Sequence, residues 1–109
     1  MNLKKIIFSL IISVMIIASV CLFWKNTLIV SFSLLLIAIL KHKFFPIKKE
    51  LLWFIIAAIV GSMAENIMIF SSAWYYTKPQ IGNIPYWLPF LWGSSGTMLV
   101  TFYEGIIED

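Results

Sequence analysis

The sequence predicts an all-α, polytopic membrane protein with four transmembrane helices and both termini cytoplasmic, a single transmembrane domain over residues 1–109. Three observations predict it. Of the 109 residues, 61% are hydrophobic and 12% charged, with a mean hydropathy of +0.97, too few polar groups to cover a water-soluble exterior. Apolar runs follow one another with short charged breaks, and the length allows about four crossings at ~20 residues each. The eight lysines, with no arginine among them, fall at the ends of these runs, where membrane proteins carry topology signals. A nucleic-acid surface would gather them on one soluble face, so no nucleic-acid partner is expected. A lone cysteine, Cys21, and a lone histidine, His42, build neither a disulfide nor a metal site, so no metal and no cofactor are expected.

The first span, residues 6–23, follows Lys4 and Lys5. A cleaved signal peptide is the competing reading, but Val20 is bulky where a cleavage site before Cys21 wants a small residue, and apolar sequence resumes directly after Lys25-Asn26. The second span, residues 27–45, has an apolar part ending at Leu40 that is only about 21 Å long at ~1.5 Å per residue. Lys41, His42 and Lys43 extend it, with side chains expected to reach out to the headgroups, until Pro46 disfavours helix. The third span, residues 51–73, runs into Trp74-Tyr75-Tyr76, an aromatic cluster suited to the membrane interface. A turn-rich connection with Pro79, Gly82 and Pro85 leads to the fourth span, residues 87–103, which accepts Pro89 in its first turn and precedes an acidic tail, Glu104 to Asp109. Lys4, Lys5, Lys41, Lys43, Lys48 and Lys49 fall on one side of this arrangement and only Lys25 and Lys78 on the other, which orients a multi-pass protein in the cell (inner, cytoplasmic) membrane.

The residues that carry chemistry converge on the third and fourth spans. Ala58, Gly61, Ser62, Glu65, Asn66, Ile69 and Ser72 recur at three- and four-residue steps and form one mostly small or polar stripe that has to face protein. Glu65 turned toward lipid would cost at least ~2.5 kcal/mol. Counted from Trp74, Glu65 lies about 13 Å below the outer aromatic belt, and "WGSSGT", Trp92 to Thr97, reaches a similar depth on the fourth span. The indole and hydroxyls of that segment are donors for the carboxyl. Glu65 is therefore the candidate catalytic or binding acid. Asn66, Trp74, Tyr76, Trp87, Trp92 and Ser95 are the candidate ligand-binding residues.

The pattern Gly61-x3-Glu65, Trp74-x-Tyr76, Ile84-Pro85-x-Trp87-Leu88-Pro89-x2-Trp92-Gly93 resembles a motif of small, uncharacterised multi-pass membrane proteins of bacteria and archaea, over about half the chain. It bears a fainter similarity to the carotenoid hydratase and cyclase membrane families, which would imply an isoprenoid-like lipid substrate with Glu65 as proton donor. Those proteins carry further carboxylates that this chain lacks. Small multidrug transporters are similar in size and span number, but their membrane glutamate lies on the first span.

The leading expectation is a small integral membrane protein that binds a lipid or another amphipathic molecule in an outer-leaflet pocket around Glu65. A proton-coupled small transporter is one alternative, and a structural or assembly protein with Glu65 in a helix-packing seam is another. Whether the chain is an enzyme stays open at this point. Membrane lipids are the expected partners, and the transporter alternative calls for a homo-oligomer, because four helices enclose little space.

Overall fold

A computed structural model describes residues 1–108 and is all-α. Its helices are α1 (Leu3–Phe23), α2 (Thr27–Phe44), α3 (Glu50–Ile69) and α4 (Leu88–Ile107). The first three are long and apolar enough to cross a membrane, whereas α4 is not among them. Local chemistry sets several of the ends. Asn2 caps α1 by accepting from the Lys5 amide at 3.3 Å, and Asn26 caps α2 by accepting from the Ile29 amide at 3.2 Å. Pro89 stands in the first turn of α4, where a missing N–H costs nothing.

The helices run up and down. The Asn2 amide donates to the Gly105 carbonyl at 2.7 Å, and Lys5 forms ion pairs with Glu104 and Glu108, so the start of α1 meets the end of α4. At the opposite end, the Thr27 hydroxyl donates to Gln80 at 2.9 Å, joining the α1–α2 turn to the long α3–α4 connection. The central element is α4, which packs on α1, α2 and α3, while α3 packs chiefly on α4. This explains its composition. Gly93, Ser94, Thr97, Thr101 and Gly105 are buried on α4, small groups that let three neighbours approach. A Cβ on Gly93 would lie 2.6 Å from the Phe54 ring, and one on Gly96 would lie 2.6 Å from the Ala57 Cβ. The core joins Ile12, Ile16, Val30, Leu34, Leu88 and Met98, and the outward faces of α1, α2 and α3 carry exposed residues such as Ile7, Leu36 and Ile59.

Three expectations are corrected. The third helix stops at Ile69 and not at residue 73, because the amides of Phe70, Ser71 and Ser72 bond three residues back and tighten the last turn. Ser72, left-handed at φ 63°, leaves the polar stripe and is exposed. The fourth helix continues past residue 103 to Ile107, so Glu104 is a helical residue and no part of a free tail; Asp109 lies outside the described residues. Lys41 does extend α2, but its side chain turns inward and not toward the headgroups. Its ammonium lies 2.9 Å from Glu50 and 2.7 Å from the Thr101 hydroxyl, and it also donates to the Phe45 carbonyl.

Candidate functional site

Glu65 is half-buried in the penultimate turn of α3, on the face turned to α4. The early end of α3 places it four residues from the last helical residue, about 6 Å along the axis, so the ~13 Å counted from Trp74 on an unbroken helix does not hold. Trp92 stands four residues into α4, at a matching ~6 Å. The two are brought together by Gly61, because the Trp92 ring lies over the backbone where a side chain would otherwise stand; a Cβ there would be 2.1 Å from the ring. From this seat the indole N–H donates to Glu65 Oε2 at 2.5 Å. The Tyr76 hydroxyl donates to Oε1 from the connection after α3. Both carboxyl oxygens thus accept from uncharged donors, and among the described residues no lysine lies within ion-pairing distance of Glu65.

Tyr76 is oriented from its other side by Trp87, ring edge to ring face at 6.0 Å and 90°. Its own burial, and then the Glu65 carboxylate beside it, push the pKa of the phenol above its ordinary value. Trp92 is 36% exposed and Glu65 half-buried, so the carboxyl group is only partly covered. One turn deeper on α3, the Ser62 hydroxyl is buried without a hydrogen-bond partner.

The other candidates separate into different roles. Asn66 shapes the loop: its Oδ1 accepts from the Asn83 amide at 2.8 Å and lies against Gly82, whose left-handed φ of 59° favours a glycine. Trp87 is buried and supports Tyr76 without touching Glu65, Trp74 is exposed, and Ser95 is half-buried; neither Trp74 nor Ser95 hydrogen-bonds to the acid. Tyr76 and Trp87, with Lys25, Thr27, Lys78 and Gln80, line a separate polar cleft of about 160 Å³ at the same end of the molecule. Tyr76 therefore stands between a carboxyl group and a cleft that holds two lysines.

No protein family, no characterised protein and no solved structure matches this chain.

At the opposite end is a polar centre that the sequence reading did not single out. Glu50, 8% exposed, accepts from Lys41, from the His42 ring at 2.9 Å and from the Ile47 amide at 3.0 Å. The signal available in the sequence was the spacing: Glu50 is the single acid beside a run of five basic side chains, with Pro46 turning the chain back between them. The centre ties α2, α3 and α4 together. Its charges and amide are mutually satisfied, which fits a structural clamp.

Proposed function

We propose that the chain is a four-span protein of the cytoplasmic membrane, with both termini inside, that binds an amphipathic molecule with a cationic head group at Glu65 in the outer leaflet. The observation that carries this reading is the setting of Glu65: two neutral donors orient its oxygens, no cation among the described residues lies within ion-pairing distance, and the half-buried carboxyl group is only partly covered. A carboxylate so placed attracts an ammonium group, and the rings of Tyr76 and Trp92 add cation–π attraction. The position near the end of α3 favours a head group over a relay through the membrane. In this reading α4 is the fourth span, 20 residues or about 30 Å long, with its small and hydroxyl residues packed against three apolar neighbours and Leu99, Tyr103 and Ile106 left on its outer face. The arrangement of apolar side chains outside and Ser62, Ser94, Thr97 and Thr101 inside suits a lipid solvent.

Native mass spectrometry of protein released from nanodiscs tests it, wild type beside Glu65→Gln. A small amphipathic amine retained by wild type and lost from the folded variant is the expected result; identical, ligand-free spectra reject it. Orientation is tested separately, by an impermeant maleimide on intact cells in a Cys21→Ala background. Lys78→Cys is expected to label and Lys48→Cys to stay protected.

A second reading has its own support. Tyr76 and Asn83, anchored by the neighbouring residues Glu65 and Asn66, hold the α3–α4 connection on the helix ends, so the pair also serves as a latch. If that is the whole role, Glu65→Gln leaves stability and binding nearly unchanged, since the amide oxygen accepts from the indole while the amide NH2 donates to the phenol oxygen.

A further inference from the structure

The basic turn between α2 and α3 opens into a groove that the Glu65 site does not use. It has a volume of about 350 Å³, with Lys48 and Lys49 at one end and Leu52, Trp53, Ile56 and Val100 as its walls. Both lysines are exposed, and neither has an acidic partner among the described residues. The acid next in sequence, Glu50, is turned away into the Lys41 and His42 clamp, which leaves the positive field of the two ammonium groups unopposed. Trp53 Nε1 donates to the Gly96 carbonyl at 3.1 Å, so the indole's polar atom is occupied on α4. From Lys49 to Ile56 the groove follows α3 for about 10 Å.

A charged mouth followed by an apolar channel of this length matches a phosphate group with the first part of an acyl chain attached. We infer that this groove binds an anionic phospholipid, with its phosphate between Lys48 and Lys49 and one chain along Leu52, Trp53 and Ile56. The leaflet, cytoplasmic, rests on the orientation proposed above; the chemistry does not. The polar cleft with Lys25 and Lys78 at the other end has no comparable apolar wall and serves as the internal control.

The test is a titration of the full chain in detergent micelles with dioleoylphosphatidylglycerol or dioleoylphosphatidylcholine, read by native mass spectrometry. A micelle has no inside or outside, so the result stands apart from the orientation. One phosphatidylglycerol is expected to bind saturably per chain, in preference to phosphatidylcholine. Lys48→Gln with Lys49→Gln lowers that affinity about 30-fold, roughly fivefold for each lysine. Lys25→Gln with Lys78→Gln leaves it unchanged. Ile56→Trp, which fills the channel from a position 40% exposed, weakens both lipids. Equal binding of the two lipids, a preference that survives the Lys48/Lys49 substitutions, an equal loss in the control pair, or displacement by inorganic phosphate would each overturn the inference.

Discussion

Replacing Gly61 with alanine tests whether the Trp92 indole rests where the site requires it. In an open helix this substitution stabilises by about 1 kcal/mol, because glycine is the weaker helix former. Here the new Cβ would stand 2.1 Å from Trp92 Cδ2 and 2.4 Å from Cγ. Carbon atoms in ordinary contact are about 3.5 to 4.0 Å apart, so the indole has to withdraw by about 1.4 Å or more. A bond of 2.5 Å from Nε1 to Glu65 does not survive a shift of that size, since useful N–H···O contacts end near ~3.2 Å. Loss of a hydrogen bond to a carboxylate costs about 1.5 to 3 kcal/mol, and an indole that stays put costs about 1 to 3 kcal/mol in overpacking instead. With the helix gain of about 1 kcal/mol subtracted, a net destabilisation of about 0.5 to 2 kcal/mol is expected where the bond is lost, and of up to about 2 kcal/mol where the ring stays put. Thermal unfolding in detergent, followed by circular dichroism, reads it, with tryptophan fluorescence reporting the moved ring. Stability above wild type would show that the ring does not lie on Gly61, and the geometry assigned to Glu65 would fall with it.

Three other outcomes follow from the same structure. Lys41→Met strands Glu50 without its main cation and is expected to cost about 3 to 5 kcal/mol in the same melt, with much of the loss restored by adding Glu50→Gln. Because the Tyr76 pKa is raised on folding, its contribution to stability is complete below the ordinary phenol value of about 10 and is lost as pH rises beyond it. Alkaline melts should therefore show wild type losing stability above about pH 10 more steeply than Tyr76→Phe, and parallel curves would contradict the assignment. Asn66→Ala removes the acceptor for the Asn83 amide and is expected to expose the 70–87 connection to limited proteolysis while helix content is kept; unchanged cleavage would argue against the anchor.

How far this was legible in the sequence depends on the residue. The meeting of Glu65 with Trp92 follows from counting helical rise on two adjacent helices, whereas Tyr76, expected only as an aromatic wall of the site, proves to donate to the acid. The depth does not follow, because the count assumed helix up to Trp74. Nothing in Phe70-Ser71-Ser72 announces the tightened turn that ends α3 at Ile69. Asn66 sits on the right face but answers to a loop residue seventeen positions away, a pairing that periodicity carries no trace of. Lys41 was misread for a physical reason: a lysine near a helix end ordinarily reaches outward, and only the return of the chain at Pro46 brings Glu50 close enough to reverse that preference.

The central place of α4 has a consequence for how the protein is made. Helices emerge in chain order, and an α1–α2 pair can form as soon as both are present, but α3 finds its principal partner only in the helix that follows it. Between synthesis of α3 and arrival of α4, Glu65 has neither its indole nor the loop that delivers its phenol, and Gly61 faces an empty seam. Assembly of the Glu65 site is thus postponed until α4 has been made, and a ribosome halted within the connection after Ile69 would leave an acidic helix without its mate.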